Sequence, residues 1–401
     1  MIICRHFFAL LVFFFPCLGE TPKSFSLLIV ATFHAKYNGL SGIDSYASNH
    51  ARILKEAGYK VCVAVQEGSG LHKRLLNEQV PCEPYNFTRA LQGHDTELVG
   101  RFLKKIISQY QVTHIHCNWH NELSFVHKAI EKVNIPLFYT HHYQQAFPLQ
   151  HYPFLAGVVL VNKLLVNGLR VRHQKLSKLP IVFIPPFLNE ERFVAFIPAK
   201  VNPVRKAYGS ERPIITMIGN MYNDIAYKNY PLLIKAVAVL KAKYNFLCTV
   251  LIVGGGPKKE MMQKLVATHG LSEDIHFLGF RSDIPTILDA SDLVVLTSKV
   301  EGFGMVLAEA NLMGRPVVGP AGTGVEGVIE DGVNGLLFKN DDVDDFCQKV
   351  IAVLADQQLK LLMGQQAKQY ALKHFTNKQL LDQIQQLYSL GGKYELQNAK
   401  Y

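Results

Sequence analysis

The chain has 401 residues, of which 49% are hydrophobic and 18% charged. This composition can bury large cores, predicts two or three domains, and excludes disordered, collagen-like and coiled-coil proteins. The longest apolar run without a charge, Phe7 to Leu18, is about 12 residues long. A spanning helix needs roughly 20, so a polytopic membrane protein is excluded.

The net charge is +10, and residues 1–195 hold 20 basic against 12 acidic side chains. This excess suits an anionic partner or reflects basic composition alone, and both interpretations remain open. Seven cysteines are scattered without a Cys-x-x-Cys pair, which predicts neither a zinc site nor a disulfide framework.

The amino-terminal segment, residues 1–24, combines one early basic residue (Arg5), an apolar stretch and a small residue at Gly19. Three interpretations stay open: a secretory signal, a short in-plane membrane anchor, or an extension ahead of the first domain.

The first half of the chain alternates between strand-like and helix-like stretches. Two helices are predicted at Ser45 to Ala57 and Leu98 to Tyr110. The predicted strands are Phe25 to Phe33, Val61 to Val65, His114 to Cys117, Leu137 to Thr140, Gly157 to Val161 and Ile181 to Ile184. Runs this apolar, alternating with helices, predict a parallel sheet covered on both faces.

A proline-rich break near residues 185–203 precedes a second alternating half, which places a domain boundary near residue 195. The second set of strands is Ile214 to Gly219, Thr249 to Val253, Ile275 to Leu278, Leu293 to Leu296, Pro316 to Val318 and Gly335 to Phe338. We therefore predict domains at residues 25–195 and 196–375, and a helix and tail at 376–401 that crosses back to the first domain. Two doubly wound halves in series bind ligands in the cleft at the carboxyl ends of their strands.

One stretch carries most of the chemistry: TSKVEGFGMVLAEANLMGRPVVG, residues 297–319. A glycine-flanked loop follows a strand and opens a helix near Met305, an arrangement that suits a phosphate group. Glu301 and Glu309 are eight positions apart, so both are expected to face one cleft and accept hydrogen bonds from sugar hydroxyls. For Glu309, a solvated position on the helix is the alternative.

Three other patterns suggest a metal or cofactor only at first sight. Residues 341–345 (DDVDD) open a helix, so helix capping explains them. We expect His114 and His116 to point to opposite faces of their strand and therefore reject a metal site there. The run Gly254 to Gly256 lacks the spacing of a dinucleotide fingerprint. We therefore expect no metal ion and no cofactor.

The stretch at 297–319 resembles the signature of family 4 glycosyltransferases, which are retaining enzymes of the two-domain GT-B fold. The similarity extends over nearly all of residues 25–390 and is more specific in the second half. Further similar segments are NGLSGIDSYASNHARILKEAGYKVCV, LIVGGGP, HFLGFRSDI, PVVGPAGTGVEGVIEDGVNGLLF and HFTNKQLLDQIQQLY. The resemblance implies an α/β protein with two Rossmann-like, doubly wound parallel-sheet domains facing across a cleft.

The resemblance also implies roles for the residues of the second half. Glu309 would hold the ribose hydroxyls of a nucleotide sugar, Glu301 the hydroxyls of the transferred sugar, and Lys228 the diphosphate leaving group. The helix start would meet the diphosphate or the sugar through the backbone of Phe303, Gly304, Met305 and Val306.

One position departs from the family pattern. Asn220 stands where the family usually has an arginine, which leaves part of the diphosphate charge unopposed. Arg281 and Lys299 are the candidates to replace that charge.

The first half supplies the other expected site residues. His142, in a Thr-x-His pattern after a strand, would lie near the reacting sugar, with His141 beside it in the core. Gly39 and Gly42 would let the first loop approach the diphosphate.

These residues predict a retaining glycosyltransferase that moves a hexose from a UDP- or GDP-sugar to a glycan or glycolipid, in cell-surface polysaccharide or lipopolysaccharide assembly. The expected partners are the donor, the acceptor and an anionic membrane surface, but not nucleic acid. The expected location is the cytoplasm or the cytoplasmic membrane face, or an exported or organellar one if residues 1–24 are a signal. A catalytically weak GT-B protein that binds a nucleotide sugar or glycan, and a GT-B-like sugar-nucleotide epimerase, are the alternatives.

Overall fold

The computed structural model describes residues 25–31, 42–87, 96–142, 151–165, 179–209, 211–221 and 225–398. The predicted segment 1–24 and Gly39 lie outside these residues. Within the described ranges, no helix is both long and apolar enough to cross a bilayer.

The first domain is built on a parallel sheet of seven described strands, in the order β3-β2-β1-β4-β5-β6-β7. The strands are β1 Ser26–Ala31, β2 Lys60–Gln66, β3 Cys82–Tyr85, β4 His114–Cys117, β5 Leu137–His141, β6 Leu155–Leu160 and β7 Ile181–Phe183. The helices described alongside them are α1 Gly42–Glu56, α2 Gly70–Asn77, α3 Thr96–Tyr110 and α4 His120–Ile130. Every residue of β1 is buried, as expected for a central strand covered on both faces.

The second domain repeats the plan with six described strands, all parallel, in the order β10-β9-β8-β11-β12-β13. They are β8 Ile214–Ile218, β9 Thr249–Val253, β10 Ile275–Gly279, β11 Leu293–Val295, β12 Val317–Pro320 and β13 Gly335–Phe338. In each sheet the first strand lies in the interior, the next two strands are added towards one edge, and the later strands are added towards the other edge. This change in strand order creates a topological switch point between β1 and β4 and another between β8 and β11.

The helices from the linker onward are, in chain order, α5 Glu190–Val194, α6 Pro203–Tyr208, α7 Ile225–Lys228, α8 Tyr230–Tyr244, α9 Lys259–Thr268, α10 Ile284–Ala290, α11 Met305–Leu312, α12 Val343–Leu354, α13 Gln357–His374 and α14 Asn377–Asn398. Asp342 caps α12 by accepting a hydrogen bond from the Asp345 backbone N–H at 3.1 Å. Capping therefore accounts for part of the acidic run at 341–345, as the sequence predicts.

Helix α14 lies on the first sheet although it follows the second domain in the chain. Its Tyr388 is fully buried, and its hydroxyl group is 2.8 Å from His116 Nδ1. His116 Nε2 is 2.6 Å from the Thr140 hydroxyl, and Tyr46 bonds the same hydroxyl at 3.1 Å. His116 thus takes part in a buried hydrogen-bond chain between the last helix and β5. His114 also packs near Phe138 and Tyr388, so the two histidines lie on the same face of the sheet, as residues two apart on a strand do, and the expected opposite orientation is wrong.

The structure also contains elements that the sequence analysis missed or cut short. Strand β3 (CEPY) contains a proline and lies at the edge of its sheet, so it lacks the apolar pattern of a central strand. Helix α2 is short and was not predicted, and α14 occupies most of the predicted helix and tail at 376–401.

Candidate functional site

The carboxyl end of β11 joins the segments that carry the predicted site. Thr297, fully buried just after this strand, donates its hydroxyl hydrogen bond to the carbonyl groups of Lys228 and Asn229, both at 3.1 Å. The backbone N–H of Lys299 donates to the Tyr227 carbonyl at 3.1 Å. These bonds hold the end of α7, with Lys228, against the loop that contains Glu301.

Lys228 and Glu301 form an ion pair, with 2.7 Å between Nζ and Oε2. Their side chains are only 27% and 13% exposed. The Ser298 hydroxyl donates to the same carboxylate oxygen at 3.2 Å, and the Gly302 N–H donates to the other oxygen at 3.2 Å. The cation assigned to the leaving group and the carboxylate assigned to the sugar therefore lie side by side.

Helix α11 begins at this loop without a side-chain cap. Its N-cap residue, Gly304, has a left-handed backbone with φ +88°, a conformation that a non-glycine residue rarely adopts. With no side chain as a cap, the first-turn N–H groups, including those of Met305 and Val306, are available to an anion. Phe303 is 3% exposed and packs against Phe375 with 5.6 Å between ring centroids, so its backbone rather than its ring is available to a ligand.

His142 touches this loop from the first domain. A Cβ atom on Gly302 would lie 2.2 Å from the His142 carbonyl oxygen, so the two backbones are in direct contact. The His142 imidazole packs edge-on against Tyr46, with 4.8 Å between ring centroids. Burial lowers the pKa of His142 to about 3, which keeps the ring neutral. The structure therefore brings His142, Glu301 and Lys228 together, while His141 lies in the core and contacts Tyr139.

Glu309, within α11, has an unusual environment for a carboxyl group. Burial raises its pKa to about 7, and the positive charges of Arg192 and Arg74 oppose that rise. Among the described residues, no side chain donates a hydrogen bond to its carboxylate. A carboxyl group held in this way has its acceptor capacity free for hydroxyl groups.

The glycine run at 254–256 has a structural role next to Asn220. Cβ atoms on Gly254 and Gly256 would lie 2.0 and 2.4 Å from the carbonyl oxygens of Gly219 and Met221. The run thus lets the loops after β8 and β9 pack backbone to backbone, and it fixes Asn220 at the switch point of the second sheet.

Both candidates to replace the missing arginine already pair with aspartates. Arg281 forms a bidentate ion pair with Asp283: Nε donates to Oδ1 at 2.7 Å and Nη2 donates to Oδ2 at 2.6 Å. The Arg281 guanidinium lowers the pKa of Asp283. Lys299 pairs with Asp341 at 2.7 Å. Among the described residues, neither side chain contacts Lys228. That Arg281 or Lys299 replaces the missing arginine therefore remains a prediction.

Gly42 is the exposed first residue of α1, with open space around its α-carbon within the described residues. In the same part of the chain, no group of three or more His, Cys, Asp and Glu side chains is placed to hold a metal ion.

Several residues of the site escaped sequence reasoning. Arg192 and Arg74 approach Glu309 from the interdomain linker and from α2, and neither position follows a motif. Thr297 lies two residues after β11, and Tyr230 donates its hydroxyl hydrogen bond to the Gly219 carbonyl at 2.7 Å. A polar residue directly after an apolar run, as Thr297 follows Leu296, is the signal that could have found Thr297.

The second domain also has a sequence match. Residues 202–370 match the family of glycosyl transferases group 1. The matched segment contains the strands of the second sheet together with Lys228, Glu301 and Glu309.

Curated relatives are similar over part of their length. The α-D-kanosaminyltransferase of Streptomyces kanamyceticus is 30% identical over 188 residues, which cover 46% of this chain and 48% of the relative. The lipopolysaccharide core biosynthesis glycosyltransferase LpsE of Rhizobium meliloti is 28% identical over 210 residues, covering 52% and 58%. The chain thus spans about half the length of these relatives in the matches.

Solved structures match nearly the whole chain. Anabaena Alr3699/HepE, in complex with UDP and glucose, superposes with a TM-score of 0.75 at 19% identity, covering 91% of this chain and 99% of that one. A glycosyltransferase from Rickettsia africae gives 0.75 at 21% identity, covering 93% and 99%. These likenesses show the fold: the protein has the GT-B architecture of two Rossmann-like domains, as the sequence predicts.

Proposed function

We propose that this protein is a glycosyltransferase that moves a hexose from a nucleotide-sugar donor to a glycan or glycolipid acceptor, with retention of anomeric configuration and without a metal ion. The observation that carries the proposal is the Lys228–Glu301 pair beside the uncapped start of α11. Departure of a nucleoside diphosphate builds negative charge, and a lysine with a helix start stabilises charge of this kind.

The proposed roles follow from this arrangement. The diphosphate forms an ion pair with Lys228 and accepts hydrogen bonds from the N–H groups at residues 304–306. Glu301, released from Lys228, then accepts hydrogen bonds from the sugar. Glu309 accepts hydrogen bonds from the ribose. The leaving diphosphate accepts the proton of the acceptor hydroxyl, which attacks the same face of the sugar. His142 lies beside the reacting sugar on the side of the first domain. Closure of the cleft excludes water.

The donor class and the setting of the reaction are also proposals. We propose a UDP-sugar as the donor before a GDP-sugar, because HepE was solved with UDP-glucose as well as with UDP and glucose. The location is proposed to be the cytoplasm or the cytoplasmic face of an anionic membrane. Exposed Arg101, Lys104 and Lys105 on α3 support contact with such a surface.

The test is a thermal-shift screen of the full chain against UDP- and GDP-sugars, with and without magnesium, followed by NMR of the product anomer. We expect one donor to raise Tm equally in both conditions. The Glu309→Ala variant is expected to lose this rise, whereas Glu273→Ala, at an exposed glutamate of the same domain, keeps it. No rise with any donor would refute the proposal.

A second candidate is a GT-B protein that binds a nucleotide sugar but transfers it poorly. Asn220 at the arginine position favours it, since the residue brings no positive charge to the diphosphate. Donor binding without transfer to any acceptor or to water would support this candidate.

A further inference from the structure

Two non-glycine residues near the proposed diphosphate site have left-handed backbones. Asn229, at the junction of α7 and α8, has φ +50°, and Asp341, in the turn between β13 and α12, has φ +66°. This region is unfavourable for residues with a side chain, although asparagine and aspartate tolerate it better than most. Glycine would adopt either backbone without strain. At both positions a side chain is therefore present where its absence would relieve the backbone.

The two side chains bond to each other. Asn229 Nδ2 donates to Asp341 Oδ1 at 3.0 Å, although the residues are 112 positions apart in the chain. The other carboxylate oxygen, Oδ2, accepts from Lys299 Nζ at 2.7 Å. The adjacent Asn340 donates its side-chain N–H to the Lys299 carbonyl at 3.0 Å. One surface turn thus holds two segments that are distant in sequence.

These two segments carry the ion pair of the candidate site. Asn229 directly follows Lys228, and Lys299 is two residues before Glu301. The segments also bond to each other, since the Lys299 N–H donates to the Tyr227 carbonyl at 3.1 Å. The turn between β13 and α12 therefore fixes the backbone on which the proposed leaving-group lysine stands.

Stability alone accounts poorly for this arrangement. The side chains of Lys299 and Asp341 are 43% and 56% exposed, so water screens their ion pair and it contributes little to folding. Helices α8 and α12 are already joined by the ion pair of Lys243 with Asp344, at 2.8 Å. Capping does not explain Asp341 either, because Asp342 caps α12. Strained backbones that persist in this way are typical of places where position matters to function.

The bonds of the turn give it a role in the proposed reaction. Lys228 reaches the diphosphate only if its backbone stays fixed when its side chain leaves Glu301 for the donor. We propose that Asp341 is a positioning residue that keeps Lys228 in place while the diphosphate departs. It acts through Asn229 on one side and Lys299 on the other, and its own carboxylate takes no part in the chemistry. This inference rests on the proposed glycosyltransferase function and adds a residue outside the proposed donor site.

Transfer kinetics of the full chain, with the donor identified by thermal shift, test this role. Asp341→Gly and Asn229→Gly each remove the bond between the two side chains but suit the left-handed backbone. We expect each variant to lower kcat about tenfold while KM for the donor changes little, because the lysine is displaced and not lost. Asp341→Asn keeps an oxygen that accepts from Asn229 and is expected to recover most of the lost rate.

The matched control is Asn245→Gly. Asn245 lies at the other end of α8, also has φ +50°, and is exposed. The control for a lost ion pair is Lys243→Ala, since Lys243 joins the same two helices at a distance from the turn. Both variants are expected to keep the kcat of the unmodified chain.

A double variant separates positioning from a general loss of structure. If the turn acts through Lys228, then Asp341→Gly has nothing further to displace in a chain that already carries Lys228→Met. The double variant is therefore expected to have the same kcat as Lys228→Met alone. A structural defect would instead multiply the two losses.

Hydrogen exchange measured by mass spectrometry gives a readout that needs no activity. In Asp341→Gly we expect the Lys299 N–H, followed in a peptide that covers residues 297–301, to exchange about tenfold faster, because its bond to the Tyr227 carbonyl is no longer supported by the turn. In Asn245→Gly the same peptide is expected to exchange as in the unmodified chain.

Four results would overturn the inference: an unchanged kcat in Asp341→Gly and Asn229→Gly, an equal fall in Asn245→Gly, a double variant about tenfold slower than Lys228→Met, or unchanged exchange of the Lys299 N–H in Asp341→Gly. The last result decides whether or not the chain transfers a sugar. Absence of any donor-induced rise in Tm in the unmodified chain would instead count against the proposed function.

Discussion

The contact between Gly302 and His142 gives the sharpest prediction, for the variant Gly302→Ala. A new methyl group would lie 2.2 Å from the His142 carbonyl oxygen, whereas Cβ atoms in proteins stay at least 3.0 Å from such neighbours. The loop cannot retreat, because the Gly302 carbonyl already packs against Gly324, whose N–H donates to the Glu301 carbonyl at 2.9 Å. The two domains must therefore separate at this point.

The required movement sets the size of the effect. Relief of the clash moves the His142 backbone away from the loop by about 1 Å, a displacement that costs on the order of 10²-fold in rate when it separates reacting groups. The overpacked contact is also expected to cost about 1–3 kcal/mol of stability if the domains stay closed. Donor binding is expected to persist, since Glu309 and the start of α11 keep their places.

Steady-state transfer kinetics with the donor identified by thermal shift measure this effect. We expect kcat to fall about 100-fold while KM for the donor changes little. Gly100→Ala in α3 is the control, because its Cβ would meet Ala129 at an ordinary 3.9 Å. If Gly302→Ala transfers at the rate of the Gly100→Ala control, the contact plays no part in the reacting arrangement and the reasoning is refuted.

Three further predictions concern the second domain. Lys228→Met is expected to lower kcat about 10²- to 10³-fold, because it removes the cation beside Glu301; an unchanged rate would exclude Lys228 from leaving-group stabilisation. Thr297→Val, which loses the hydroxyl bond to the carbonyl groups of Lys228 and Asn229, is expected to cost about 1 kcal/mol in urea unfolding; an equal midpoint would contradict it. The raised pKa of Glu309, about 7, means that its contribution to stability is complete below the unfolded pKa and is lost as pH rises through about 7. Donor-induced shifts are therefore expected to grow from pH 6 to 8 as the carboxylate forms, and Glu309→Gln is expected to show no such growth.

The sequence predicts the fold well because buried parallel strands are continuous apolar runs. Strands β4, β9 and β13 have the predicted bounds, since polar residues flank β4 and β13 and Gly254 follows β9. The edge strand β3 was missed because an edge position does not require apolar residues on both faces.

The site was predictable only in part. The spacing of Glu301 and Glu309 is visible in the sequence because both lie on one loop and helix. The ion pair of Lys228 with Glu301 joins residues 73 positions apart, and only the folded sheet brings them together. The contact between Gly302 and His142 depends on how two domains meet, which no local pattern encodes.

The position of α14 has a consequence for biosynthesis. Tyr388 completes the buried hydrogen-bond chain that includes His116 and Thr140, and its ring packs on Phe138 with 4.8 Å between centroids. A ribosome makes all of the second domain before it makes this helix. The second domain therefore has every residue of its sheet before the first domain can close its core, so the half synthesised first is the half completed last.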